Sequence, residues 1–263
     1  MWWKRLSEKS FDIAVKHYLM EHPDYCFIKF LGYGSYGRAY LIKEVSSENL
    51  FVLKSLRPKH RHHQKTLRKF NQEIHILQHL SLPYVPSIRA TGTIQNIPFF
   101  IMDYINGHTF EQLIFNENQK FTVSQSLLIT QQLLEQIVLL HKHGIVHRDL
   151  RIPNILLVDQ QLRIIDFGLA APIKKIEVAT IRNPKRAENH ISDLYFVGHF
   201  LLFLLYSSYT PTSKKGKSWQ EELNLPVSVK NYLERLLWMK EPFHSAADAL
   251  QSIPLEIKVQ NEK

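Results

Sequence analysis

His147-Arg148-Asp149-Leu150-Arg151-Ile152-Pro153-Asn154 follows a long helical pattern and leads into the apolar run Ile155-Leu156-Leu157-Val158. An Asp and an Asn on a loop between a helix and a strand can place a proton acceptor and a metal-binding amide in one site. Phosphoryl transfer needs this combination: a group to orient the attacking hydroxyl, and oxygen ligands for the magnesium that neutralises the phosphates. Farther on, Ile165-Asp166-Phe167-Gly168 puts a second Asp at the end of an apolar strand. The two stretches in this order carry far more information than either half.

Upstream, the strand-like Phe27-Ile28-Lys29-Phe30-Leu31 meets Gly32-Tyr33-Gly34-Ser35-Tyr36-Gly37 and then Ala39-Tyr40-Leu41-Ile42. Glycines so spaced let backbone amides approach phosphate without obstruction by Cβ. A dinucleotide-binding turn would open a helix after the third glycine, whereas Arg38 to Ile42 continues as strand. The next strand, Phe51-Val52-Leu53-Lys54, ends in a lysine among apolar residues, where a solvated lysine would be odd. A helical pattern from about Lys65 to Leu80 sets Glu73 among Phe70, Ile74, Leu77 and Leu80, so that it can project inward.

Together these stretches resemble the eukaryotic-type (Hanks-type) protein kinase family in a compact, bacterial-type serine/threonine form, over about residues 25 to 252. The resemblance implies an α+β, two-lobed fold: a small antiparallel sheet lobe with one main helix, and a larger, mainly helical lobe. It implies ATP and Mg2+ as cofactors, with Asp149 as catalytic base and Asn154 and Asp166 as metal ligands. Lys54, held by Glu73, would meet the phosphates. The nucleotide would lie among Leu31, Gly32, Gly34, Gly37, Ala39, Val52, Met102 and Leu156, with the backbone of Asp103 and Ile105 pairing with the adenine edge. His147 would pack the catalytic loop, Arg148 would answer an activating phosphate, and Asp193 would brace the loop from the next helix.

The chain departs from the family pattern at several points. Ala39 stands where the family usually has valine, and Val52 where it has alanine, an exchange that roughly conserves pocket volume. Arg151 replaces the lysine of serine/threonine kinases, and some tyrosine kinases carry arginine there; either cation can stabilise transferring charge, so acceptor type stays open. No Ala-Pro-Glu precedes Asp193, and Glu188 is too close to Asp193 to serve in its place, so the peptide-binding platform must be shortened or rebuilt. Lys174, Lys175, Arg182, Lys185 and Arg186 make that interval basic, a pattern more often a solvated loop than a docking site. Thr180 is its one hydroxyl residue between Asp166 and Ser192, so a phosphate placed there must sit on Thr180.

The chain has 263 residues, with 33 Lys plus Arg against 24 Asp plus Glu and a net charge of +9, a surface that attracts anions. Cys26 is the single cysteine, which excludes an internal disulfide and a Cys-rich zinc site and fits a reducing, cytoplasmic setting. His60, His62 and His63 sit among four positive charges, so a solvated helix entry is expected there rather than a metal site. No secretory signal is legible from Met1 to Asp24, and the apolar run Leu194 to Tyr206 is too short to span a bilayer. The expected organisation is a helical extension over 1–24, a first lobe over 25–103, a second over 104–253 and a polar tail over 254–263. Trp2 and Trp3 could touch a membrane surface within residues 1–20, but the segment's charges cancel, and packing on the first lobe is favoured. Protein acceptors are favoured over small molecules. A pseudokinase and a nucleic-acid-binding role are the weaker alternatives.

Overall fold

The computed structural model describes residues 8–210 and 217–255. The expectations for Trp2 and Trp3 and for the tail beyond Leu255 lie outside these residues. The chain divides into two compact units, one ending at Asn106 and one beginning at Gly107.

The first unit is a five-stranded antiparallel sheet with two helices. Helix α1 covers Glu8–Glu21, strand β1 Tyr25–Tyr33, β2 Gly37–Glu44, β3 Leu50–Leu56, helix α2 Gln64–His79, β4 Ile88–Ile94 and β5 Ile97–Asp103. The sheet order is β1-β2-β3-β5-β4. Helix α1 buries Phe11, Val15 and Leu19, which share one face at four-residue spacing, and Tyr18 meets the Phe99 ring edge-on at 5.3 Å. Ile13, off this face, is exposed to solvent. Helix α2 is capped by His63, whose ring accepts the Thr66 amide, so this histidine serves as a helix cap. Strand β4 has no clean apolar alternation. It is held by the tight turn at Gln95-Asn96, both at positive φ, and by Gly92, where a Cβ would strike the Phe99 ring at 2.8 Å.

The second unit is mainly helical. Its helices are α3 Phe110–Phe115, α4 Val123–Lys142, α5 His190–Tyr206, α6 Trp219–Glu222, α7 Val227–Leu236 and α8 Ala246–Gln251. Short strands β6 (His108–Thr109), β8 (Ile155–Val158) and β9 (Gln161–Ile164) form one small sheet, and β7 (Ile145–Val146) pairs with β10 (Ala171–Pro172). Helix α4 starts in a capping box of Thr122 and Gln125 and buries Leu127, Leu133, Leu134, Ile137 and Leu140. Helix α5 is the core helix of the unit, and Gly198 lets α7 approach, since a Cβ there would meet Leu236 and Leu237 at about 3 Å. Among the described residues no helix is long and apolar enough to cross a membrane.

Candidate active site

In the first unit, the pairing of β2 with β3 sets Ala39 opposite Lys54, and pairing of β3 with β5 sets Val52 opposite Met102. Lys54 donates to Glu73 Oε1 at 2.6 Å, with Glu73 only 1% exposed on the inner face of α2. Burying this carboxylate is costly unless it is paired, and removing its partner would leave an uncompensated charge. Gly37 lies against the lysine stem: a Cβ there would sit 3.1 Å from Lys54 Cε. Tyr36 had no role in the sequence reading. Its hydroxyl donates to Glu73 Oε2 at 3.1 Å, and its ring stands edge-on to Phe70. No spacing rule marks this contact, because it joins a loop side chain to a helix thirty-seven residues away.

Gly32 has φ 143°, a conformation open to glycine, at a break in the β1–β2 register next to Leu31. The N–H of Asp103 is already committed to Ser87 O at 3.0 Å, and its carboxylate accepts from Arg89 Nε at 2.6 Å. Of the Asp103 backbone groups, the N–H is thus already taken within the first unit. Ile105 follows in the connector after β5.

In the second unit, Asp149, Arg151 and Asn154 converge. The Asp149 carboxylate, 8% exposed, accepts from Arg151 Nε at 2.6 Å and Nη2 at 3.2 Å, and from Asn154 Nδ2 at 2.9 Å. Asn154 Nδ2 also donates to the Asp149 carbonyl at 2.9 Å, so both amide hydrogens are spent and the amide oxygen is the atom left for a cation. The Ile165 N–H donates to the Asn154 carbonyl at 2.9 Å, tying the stretch before Asp166 to this loop. Asp166 itself holds a left-handed backbone, φ 62°, with its carboxylate accepting from the Gly168 amide at 3.4 Å. Amide and carboxylate oxygens are hard donors that suit Mg2+, which takes one or two protein carboxylates plus phosphate and water. Among the described residues no three His, Cys, Asp or Glu side chains gather as a ligand set.

The loop is anchored from beneath by Asp193, 0% exposed on the first turn of α5. Its carboxylate accepts from the N–H groups of His147 at 2.9 Å and Arg148 at 2.6 Å, and from His141 Nε2 at 2.9 Å. Burial alone would raise its pKa, but the His141 hydrogen bond, the nearby imidazoles and the Arg148 amide more than offset this and hold it below the ordinary carboxylate value. His147 is fully buried; Nε2 faces the Ile165 carbonyl at 3.2 Å and so carries the proton, while Nδ1 accepts from the Asp149 N–H at 3.3 Å. Its ring meets Phe167 edge-on at 4.7 Å.

Arg148, at φ 66°, turns its guanidinium to the carbonyl of Arg186 at 3.1 Å, with Glu188 at 3.5 Å. Lys174 also pairs with Glu188. Glu188 thus joins both ends of the shortened segment, a role invisible in the sequence because its partners are set by loop geometry. Thr180 is exposed, and its hydroxyl donates to the Glu177 carbonyl at 2.7 Å.

Burial pushes His147, His190 and His199 below their ordinary value of 6.5. A histidine whose folded pKa is depressed contributes stability above its unfolded pKa, and that stability is lost as pH falls through 6.5. The midpoint of denaturation should therefore fall steadily from about pH 7 to about pH 5. A flat or rising profile over this window would contradict it.

The chain matches the protein kinase domain family over residues 25–195. The probable serine/threonine-protein kinase YbdM of Bacillus subtilis (strain 168) is 35% identical over 250 residues, covering 95% of this chain and 96% of that protein. The serine/threonine-protein kinase PrkC of the same organism is 24% identical over 84% of this chain, which spans 38% of PrkC. The cAMP-dependent protein kinase type 3 of Saccharomyces cerevisiae (strain ATCC 204508 / S288c) is 27% identical over 76% of this chain and 53% of its own length. With a buried lysine–glutamate pair, an Asp–Asn loop braced by Asp193 and a family match over most of its length, the chain belongs to the protein kinase domain family.

Proposed function

We propose that the chain is a magnesium-dependent protein kinase that moves the γ-phosphate of ATP to serine or threonine hydroxyls of proteins. The observation that carries the reading is the arrangement around Asp149: a nearly buried carboxylate held by Arg151 and Asn154, with the Asn154 amide oxygen left for a cation. On this reading Asp149 orients the acceptor hydroxyl and takes its proton. Arg151, whose side chain is 57% exposed, holds Asp149 before the acceptor arrives and stabilises charge during transfer. Asn154 and Asp166 would hold the magnesium, which when bound neutralises phosphate charge. Lys54, oriented by Glu73, binds the nucleotide phosphates, and the backbone amides of Gly32 to Gly37 cradle them. Within the first unit Leu31, Ala39, Val52 and Met102 would form the apolar surround of the base, with backbone groups of Asp103 and Ile105 on its edge. The similarity to serine/threonine kinases along nearly the full chain favours those hydroxyls. A single cysteine suits the reducing cytoplasm as the setting.

Transfer from labelled ATP and magnesium onto whole-cell protein, compared with the small-molecule fraction, tests this. Label is expected in phosphoserine and phosphothreonine; label confined to small molecules, or none at all, would overturn it. Mapping the kinase from the same incubation is expected to place any activation-segment phosphate on Thr180. That phosphate would compete with Glu188 for Arg148.

A further inference from the structure

Helix α1 precedes the family-matched segment, yet it reaches the glycine-rich turn through a cluster of charges. Arg38, directly after Gly37, is 5% exposed and bound by two acids of α1: it pairs with Glu8, and its Nη2 donates to Asp12 Oδ1 at 2.6 Å. Tyr40 completes the cluster, accepting from Arg38 Nε at 3.0 Å and donating to the same Asp12 oxygen at 2.7 Å. Burial pushes the Tyr40 hydroxyl pKa upward, which keeps it a donor. Glu8 is shared with a second guanidinium: Arg57 Nε donates to Glu8 Oε1 at 3.1 Å.

Arg57 is the link to the loop. Its Nη1 donates to the Gly34 carbonyl at 3.0 Å, its own N–H donates to the Tyr36 carbonyl at 2.7 Å, and its guanidinium lies over the Tyr33 ring at 4.6 Å. A trans peptide points its C=O and N–H in opposite directions. Fixing the Gly34 and Tyr36 carbonyls toward Arg57 therefore turns the Ser35 and Gly37 amides the other way. Those amides are the donors that a phosphate would use.

We propose that α1 is a positioning element for the glycine-rich loop, in which Glu8 and Asp12 lock Arg38 and Arg57 and Arg57 sets the peptide planes that aim the loop amides at nucleotide phosphate. This rests on the reading of residues 32–37 as the phosphate cradle. Glu8 and Asp12 touch no substrate; they act through the arginines, so their loss weakens nucleotide capture more than the chemical step.

The double variant Glu8→Gln/Asp12→Asn is expected to raise KM for ATP about tenfold with kcat within about twofold of the parent. It is also expected to speed hydrogen exchange at the Ser35 and Gly37 amides in nucleotide-free protein. Arg57→Lys keeps the charge beside Glu8 but loses the planar fork, and is expected to raise KM as well. Val15→Ala, which loosens α1 packing without touching the acids, should lower the melting temperature and leave KM and loop exchange unchanged. Parental KM and exchange in the acid variants and in Arg57→Lys would overturn the proposal. So would equal shifts in Val15→Ala at equal loss of melting temperature, since α1 would then be merely structural. A parent protein that takes up no ATP would remove the proposed function, and the exchange measurement would still judge this inference by itself.

Discussion

Asp149→Asn is expected to lower phosphoryl transfer about 10^3-fold while leaving the fold and nucleotide affinity nearly unchanged. The carboxylate accepts two hydrogen bonds from Arg151 and one from Asn154. A carboxamide of the same size retains one acceptor oxygen, but its NH2 must face a donor, so one hydrogen bond is lost at a cost of about 1 kcal/mol. That is a small fraction of a domain's stability. The chemical loss is far larger, because an amide cannot take the proton that an attacking hydroxyl must give up, and because Arg151 would no longer be held by charge. Single-turnover transfer from labelled ATP, calorimetric nucleotide binding and the melting temperature separate the two effects. Activity within about threefold of the parent would remove Asp149 as the proposed base. Activity lost in step with the fold would make it a structural residue.

The parts legible in the sequence are those governed by local period or by a short motif. Glu73 could be picked out because apolar residues fix which face of α2 is buried, and Lys54 because it stands among apolar residues of a strand, which in the structure runs on to Leu56; they meet at 2.6 Å. The capping box that starts α4 is likewise a local signal, since it needs only Thr122 and Gln125. Strand β4 was not, since Gly92 and alternating small polar residues carry no strand pattern, and its placement depends on the turn at Gln95-Asn96. Charged partners far apart in sequence were equally hidden. Nothing in the order of residues links Glu8 and Asp12 to Arg38, Tyr36 to Glu73, or Glu188 to Arg148 and Lys174. Such pairs obey geometry that exists only after the backbone has formed. His141 belongs to the same class: its helical position made it a polar residue near the end of α4, and only the packing of α4 against α5 turns it onto Asp193.

Asp193→Ala is expected to lose about 3–5 kcal/mol of stability, and activity with it. Three donors converge on this one fully buried carboxylate: the N–H groups of His147 and Arg148 and the imidazole of His141. Alanine removes all their acceptors in a place water cannot reach, so each donor keeps its desolvation penalty without compensation. The two amides belong to the residues directly before Asp149, and Arg148 holds a left-handed backbone that these bonds help to maintain. Without them the loop has no reason to keep Asp149 facing Arg151 and Asn154. Asp193→Asn should also be destabilised, because one of its two positions becomes a donor facing a donor. The contrast with Asp149→Asn is the decisive feature: that variant should stay folded and fail in chemistry, whereas Asp193 variants should fail in both together. Urea denaturation measures the first and phosphoryl transfer the second. An Asp193→Ala protein within about 0.5 kcal/mol of the parent would show that the loop is held by other contacts, and the anchoring argument would fall.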